Sequence, residues 1–388
     1  MKKVLFAALL MLSAIPMSAD TEIEGFDKAD TKSEFGNEES VEYGVINSIV
    51  ENMANTEATP ADKPNYGAKL TDYASTPKFG GYFIGKYAYS SDDAQNAKAG
   101  FSQRLVRFYV DGKILNDFTY RFQLQTNNAS FHMKDFFIEW GKYKEFKVKI
   151  GQYKRAFGFE NPMNPWDVGV GDYSQVTKKF TGHADMVGES ASTGGRDQGI
   201  QVQGDLFPVG KDKHRLIHYQ LMVANGQGIN TADANSNKDL IGTIQVQPVK
   251  GLFIGFFGWD GQYVSGNETF DRERYMISAK YDWNNWTFRT EYAHSNGHTE
   301  AGKFKNDGNS DGFYATVGVP CTPWLKTYVK YDTFRDGAVS DNAKTIYSVA
   351  PNFQLHKNLM FQLQYNYVND KFLDKNYSEF WLETYVRF

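Results

Sequence analysis

Basic side chains are the residues whose type and spacing most clearly suggest a function in this chain. Four of them, Lys154, Arg155, Lys178 and Lys179, lie between residues 154 and 196, in a stretch that also contains glycines and prolines. Lysine and arginine attract anions when they line a water-filled passage. The same property makes six further residues candidates for anion binding: Arg121, Lys147, Lys149, Arg289, Lys326 and Lys330.

Patterns typical of catalysis or metal binding are weak in this sequence. His294 and His298 have the spacing of a loop and no obvious third metal ligand. Ser174, His183 and Asp185 could be drawn as a catalytic triad, but no nucleophile-elbow motif accompanies them. We therefore expect no enzyme activity, no metal and no cofactor.

The elements that must position the basic residues are strands. Residues 378–388 alternate without interruption, with Phe380, Leu382, Val386 and Phe388 on one face and polar residues on the other. About ten residues of alternating hydrophobicity form the unit of a transmembrane β-barrel, although a soluble sandwich uses the same pattern at its edge. The repetition of the pattern along the chain therefore decides between these two folds.

Sixteen such segments follow one another from residue 79 to the end. An even number of strands is typical of bacterial single-chain barrels. Short connections alternate with long polar ones, which we place near 226–238, 261–271, 296–309 and 334–341. This asymmetry predicts a barrel with turns at one end and loops at the other. The segments lie near 79–89, 99–112, 117–127, 131–140, 145–153, 197–207, 213–225, 239–248, 251–260, 272–283, 285–295, 310–320, 323–333, 342–354, 358–369 and 378–388.

The predicted polar face of the strands carries both signs of charge. A basic excess would concentrate anions in the lumen, but opposed charges could also do no more than pair across strands, and both interpretations remain open. The basic residues on this face are Arg121, Lys147, Lys149, Arg274, Lys280, Arg289, Lys326, Lys330 and Arg387, and the acidic ones are Asp135, Glu139, Asp205, Glu291, Asp332 and Glu383.

The N-terminal part of the chain differs from the strand region. Residues 1–19 have the basic start and apolar core of a secretory signal peptide, with an unclear cleavage site. Residues 20–78 are polar and acidic and predict a periplasmic extension, with an amphipathic helix near residues 38–55. A net charge of −4 gives no basic surplus for nucleic acid, and the single cysteine, Cys321, excludes a disulfide within the chain.

Three motifs resemble a known family. Residues 149–162, K-I-G-Q-Y-K-R-A-F-G-F-E-N-P, resemble the G-Q-F-K-x-P-F-G-x-E signature of the phosphate-selective porin O/P family, with Ala156 where the family often has proline. Residues 196–202 and 219–228 are similar to its R-D-x-G re-entry strand and to the strand that ends in N-G-x-G. The resemblance implies a sixteen-stranded, trimeric channel in the bacterial outer membrane.

The motifs and the strand pattern together predict an all-β transmembrane barrel over residues 79–388, with a long constriction loop near residues 154–196. We expect passive diffusion of small hydrophilic solutes, with a preference for inorganic anions such as phosphate. The expected surroundings are outer-membrane lipid and two further copies of the chain. The alternative is a non-conducting barrel that acts as an adhesin or structural protein through its extracellular loops.

Overall fold

A closed antiparallel barrel of sixteen strands confirms the predicted fold. The computed structural model describes residues 74–388 apart from residues 96, 128, 129 and 301. Each strand pairs with its sequence neighbours, and the first pairs with the last to close the sheet. The strands are β1 (Lys78–Ser90), β2 (Ala99–Ile114), β3 (Phe118–Asn127), β4 (Ser130–Trp140), β5 (Lys147–Lys154), β6 (Arg196–Val209), β7 (His214–Ala224), β8 (Asp239–Val249), β9 (Leu252–Ser265), β10 (Glu268–Trp283), β11 (Trp286–Glu300), β12 (Lys303–Thr322), β13 (Leu325–Arg335), β14 (Ala343–His356), β15 (Leu359–Asp370) and β16 (Lys375–Arg387).

Strand alternation separates a polar inner face from an apolar outer face. In β16, Glu383 and Tyr385 are buried inside the barrel, whereas Phe380 and Leu382 are exposed on its outside. A closed sheet leaves no unpaired edge, so all its backbone groups can be satisfied within an apolar solvent. The outer face also carries Phe122, Tyr219 and Phe361, which alternate with buried polar residues of their strands.

The turns at one end of the barrel are short, as predicted. Asn284 and Asn285 connect β10 to β11 and both have positive φ, of 47° and 66°. Two consecutive residues with positive φ are typical of the two-residue hairpin turn whose twist matches that of the strands. Exposed aromatic residues, including Tyr143, Trp283 and Trp324, lie beside these short turns, where aromatic girdles occur in membrane barrels.

Two of the predicted long connections are wrong. Residues 261–271 extend the hairpin of β9 and β10, which ends in a connection of only residues 266–267. Residues 296–309 extend the hairpin of β11 and β12 in the same way. Their polar composition suggested loops because the extended ends of these strands do not alternate between polar and apolar residues. Within the described part of the chain, no helix is long and apolar enough to cross a membrane.

The longest connection, residues 155–195, folds into the barrel, and we call it the inner loop. It contains the short helix α1 (Gln175–Phe180) and a 3-10 turn at Ala191–Thr193. Ser174 caps α1, accepting a hydrogen bond from the backbone N–H of Thr177. Most inner-loop residues are buried, since they pack against the inner face of the strands.

The predicted signal peptide at residues 1–19 and the helix near residues 38–55 lie outside the described residues. Of the predicted extension, only residues 74–78 are described. Ala74 forms an isolated β-bridge with Ile114, and the backbone N–H of Ser75 donates to the carbonyl of Lys113. The end of the extension therefore runs beside β2.

Candidate functional site

The inner loop is held by carboxylates on the barrel wall. The backbone N–H groups of Phe159 and Glu160 donate to Glu291, over 2.9 Å and 2.8 Å. The N–H of Gln175, at the start of α1, donates to Asp332 over 2.9 Å. Buried backbone N–H groups need acceptors, and a carboxylate at a helix start also meets the positive end of its dipole. These strand residues therefore fix the position of the loop inside the lumen.

The base of the inner loop is held by a network of buried ion pairs. Arg155 contacts Glu189 at 2.9 Å and Asp197 at 2.7 Å. Glu189 also pairs with Arg272 of β10 at 2.5 Å. Arg274, two residues further along β10, pairs with Asp185 of the loop at 2.6 Å. Arg155 is fully buried among these groups, an arrangement that suits an anchor better than a site open to solutes.

The inner wall of β2 to β5 carries basic side chains without acidic partners. Arg107, Lys134 and Lys147 are buried, and in the described part of the chain none forms an ion pair with a carboxylate. Arg107 donates from Nε to Gln125 over 2.8 Å, but its buried Nη1 has no hydrogen-bond partner. Lys134 donates to the carbonyl of Ser192 in the inner loop. This wall therefore carries basic groups that no carboxylate of the described residues pairs with.

Two other predicted basic residues on this wall are paired. Arg121 contacts Asp111 through two hydrogen bonds, of 2.8 Å and 3.0 Å. Lys149 contacts Glu139 at 3.1 Å. Pairs of opposite charge contribute less to the potential of the lumen than single charges do. Some basic residues of this wall are therefore paired with carboxylates, and others have no carboxylate partner among the described residues.

The predicted basic residues of the inner loop and its flank have several partners. Lys154, at the end of β5, donates to the carbonyl of Pro162 over 3.1 Å. Lys178 pairs with Asp172 at 2.5 Å and is about one third exposed. Lys179 lies 5.7 Å from the ring centroid of Phe334, and burial lowers its pKa. Lys178 is thus both paired with a carboxylate and partly accessible to solvent.

The remaining predicted basic residues lie on β11 and β13. Arg289 donates to the backbone carbonyl of Val168 over 2.9 Å, and thus supports the inner loop. Lys330 lies 3.6 Å from Asp332 and also donates to the carbonyl of Asp172. Lys326 donates to Thr287. These residues and the β5 cations do not form one cluster, since they lie on different parts of the wall.

Strand alternation could have revealed Arg107 but not Arg104. Ile84 of β1 pairs with Leu105, and the next residue, Gly85, pairs with Gln103. Arg104 is therefore the additional residue of a β-bulge, and such a bulge can redirect a side chain. Strict alternation from Leu105 would place Arg104 outside, but its guanidinium contacts groups inside the barrel.

A second bulge explains the position of Lys134. Phe122 pairs with Phe136 and Leu124 pairs with Met133, so two residues of β4 face Gln123 alone. Those two residues are Lys134 and Asp135, and both are buried on the inner face. A bulge does not change the composition of a strand, and the sequence contains no clear sign of either one.

The residues considered for catalysis do not form a triad. Ser174 donates from Oγ to Glu160 over 2.5 Å, His183 Nε2 lies 2.9 Å from Asn161, and Asp185 pairs with Arg274. Burial and the nearby cationic side chains hold the pKa of His183 well below its usual range. No group of three or more potential metal ligands occurs among the residues that the structure describes.

The comparisons with known proteins agree with this architecture. A family model described as Gram-negative porin matches residues 68–373. No curated protein sequence matches the chain. Among solved structures, the chain is similar to an anion-selective porin from Comamonas acidovorans, with 12% identity, a TM-score of 0.63 and coverage of 81% of this chain and 100% of that one.

Two further solved structures share the fold. OmpF of Salmonella typhi, in a complex with daunomycin, has 11% identity and a TM-score of 0.60, over 80% of this chain and 97% of its own. The trimer form of OmpT from Vibrio cholerae has 11% identity and a TM-score of 0.55, over 82% of this chain and 100% of its own. At these identities the similarity establishes the fold alone.

Proposed function

Because this chain belongs to the Gram-negative porin family, whose members are diffusion channels of the outer membrane, we propose that its lumen favours small anions. The observation that carries this proposal is the set of three buried basic side chains, Arg107, Lys134 and Lys147, which have no carboxylate partner among the described residues. A low-dielectric wall of one sign of charge raises the local concentration of the opposite ion.

The expected preference is modest. In water, the interaction energy between one charge and an ion about 8 Å away is about 0.5 kcal/mol, which changes the local ion concentration by roughly a factor of two. Salt screens this interaction over about 8 Å at physiological ionic strength. The paired cations Arg121 and Lys149 contribute less, because Asp111 and Glu139 offset them. The preference should therefore decrease as the salt concentration rises.

Phosphate is the first anion to test, because residues 149–162 resemble the phosphate-selective porin O/P signature. The mixed charge of the lumen argues for general anion preference over strict phosphate selectivity. In this proposal the inner loop is the constriction, since it folds into the lumen and contacts the wall at several strands. We propose no enzymatic activity, because Ser174, His183 and Asp185 each bind other groups.

A homotrimer is the assembly that we propose. The outer face near the junction of β1 and β2 carries Phe79 and Phe101, which are 80% and 89% exposed. Apolar surface on a barrel can face lipid or another subunit, and the Vibrio cholerae OmpT, which has a similar fold, occurs in a trimer form. We further propose that residues 1–19 are removed and that residues 20–78 remain in the periplasm.

Reversal potentials in a salt gradient across a planar bilayer test the proposal. The wild-type channel should show the sign of an anion-preferring pore. Replacing Arg107, Lys134 and Lys147 together by glutamine should shift the reversal potential markedly toward the cation side, because the three unpaired charges are lost. A wild type that prefers cations, or a triple variant with an unchanged potential, would refute the anion preference.

A control variant removes the same number of charges outside the lumen. Lys211, Lys303 and Lys305 are exposed residues of connections or strand ends, and replacing them by glutamine should leave the reversal potential unchanged. Absence of any conductance in the wild type would favour the alternative function, a non-conducting adhesin or structural barrel.

A further inference from the structure

One part of the inner loop lies against the line where β1 and β16 close the barrel, which we call the seam. Trp166 packs edge-on against Tyr385 of β16, with ring centroids 5.5 Å apart. It belongs to a buried cluster with Ile84, Leu105 and Met360 from the wall. Ile84 faces inward but has no exposed surface, because the cluster that contains Trp166 covers it.

Arg104 links this part of the loop to the wall. From its bulge in β2 the guanidinium reaches Glu383 of β16 at 3.2 Å and donates to the hydroxyl of Tyr385 over 3.3 Å. The other terminal nitrogen lies 3.8 Å from Asp172 of the inner loop. Glu383 is fully buried, so the cation compensates a charge that water does not reach. One side chain thus joins β2, β16 and the loop.

The loop backbone approaches the seam closely at Gly171, and at Gly169 it approaches the neighbouring wall. A Cβ on Gly171 would lie 2.8 Å from Glu383 and 2.8 Å from the ring of Trp381. Gly169 has a φ of 87°, and its carbonyl accepts a hydrogen bond from Gln362 over 3.0 Å. Any larger residue at position 171 would have to displace the loop or the wall.

We propose that Arg104 is a positioning residue that holds the inner loop against the seam and so closes the lumen on that side. Solutes are then confined to the space between the loop and the inner wall of β3 to β7. On that wall Gln203 donates to Glu139 over 2.9 Å and accepts from Gln220 over 3.0 Å. These contacts join strands of the wall to one another and do not involve the inner loop. This inference concerns the route through the channel and does not depend on its preference for anions.

Thiol labelling tests the position of the loop directly. Cys321 is the only cysteine of the chain, so Cys321→Ser with Ile84→Cys leaves one thiol beneath Trp166. In the folded protein in lipid vesicles, a charged methanethiosulfonate reagent should modify this thiol slowly. Arg104→Ala should accelerate the reaction by about tenfold or more, because labelling requires the loop to leave the seam. Single-channel conductance should rise in the same variant.

Three variants separate positioning from general destabilisation. Arg215 also pairs with an aspartate, Asp205 at 3.1 Å, but both residues are on strands, so Arg215→Ala should leave the labelling rate of Ile84→Cys unchanged. Arg104→Lys should restore slow labelling in part, since it retains the charge. Gly171→Val disturbs the same contact from the side of the loop and should also accelerate labelling. It provides the test if Arg104→Ala does not fold.

Two results would overturn the proposal. One is that the thiol of Ile84→Cys is labelled at the same rate with Arg104 and with Arg104→Ala. The other is an acceleration by Arg215→Ala as large as that by Arg104→Ala, which would mean that the whole barrel has loosened. Because labelling needs no current, it remains informative even where the reversal potentials contradict the anion preference.

Discussion

Replacing Arg155 by methionine distinguishes an anchor of the inner loop from an anion-binding residue of the channel. The sequence places Arg155 among the basic candidates, but its side chain is fully buried between Glu189 and Asp197. Methionine is apolar and flexible and can fill much of the same space. The substitution therefore removes the charge with little change in packing.

The expected loss of stability depends on the partners that Glu189 and Asp197 retain after the substitution. Glu189 still pairs with Arg272 at 2.5 Å. Among the described residues, Asp197 keeps only backbone donors, the N–H groups of Gln198 at 2.8 Å and Gly226 at 3.0 Å. One buried charge thus loses its cation, and breaking a buried pair in this way costs about 3–5 kcal/mol. Adding Asp197→Asn should recover part of this loss, because the uncompensated charge is then absent.

Urea titration of folding in lipid vesicles measures the loss of stability, and bilayer recordings measure selectivity. We expect Arg155→Met to be strongly destabilised with an unchanged reversal potential. The matched control is Lys147→Met, because Lys147 has no carboxylate partner in the described part of the chain. This variant should shift the reversal potential and cost little stability. If Arg155→Met loses less than about 1 kcal/mol, or shifts the potential as much as Lys147→Met does, the anchoring role is wrong.

Two further predictions concern lipid exposure and pH. Ile244 is exposed on the outer face about 15 Å from the nearest short turn, close to the middle of an apolar band of about 25 Å, so Ile244→Arg should cost about 2–4 kcal/mol in a vesicle unfolding titration. Phe361 lies near a short turn, where arginine costs only about 0–1 kcal/mol; equal costs at both positions would contradict this placement. His183 is neutral in the docked loop, because its pKa is lowered, whereas an undocked loop binds a proton below about pH 6.5. Docking of the inner loop should therefore weaken as pH falls from about 6.5, and single-channel noise should increase. His183→Gln should abolish this pH dependence; the same acid response in the variant would assign it to another group.

The sequence by itself determined the number of strands and their two faces, but not the extended ends of β9 to β12. The period of two in β16 and in fifteen earlier segments leaves one arrangement in which every apolar face meets lipid and every polar face meets the lumen. Turn residues such as Asn284 and Asn285 also specify their hairpin locally, since positive φ is a property of single residues. Local chemistry of this kind needs no knowledge of distant parts of the chain.

The long connection was recognisable from its length, but its internal structure was not. Residues 155–195 interrupt the alternation, which marks them as a loop. The backbone N–H of Gln175, at the start of α1, finds its acceptor in Asp332, which is distant in the sequence. Such a contact exists only after the barrel has closed, so no short sequence window contains it.

Only the tertiary structure decided which charged residues inside the barrel are paired, and which residues point into the barrel. Arg155 and Lys147 are both basic residues, yet Arg155 is enclosed by two carboxylates, whereas Lys147 pairs with none that the structure describes. Arg104 and Lys134 reach the lumen only because bulges in β2 and β4 shift the register against the neighbouring strand. Register is a relation between two strands, and a bulge changes it without changing the composition of either one.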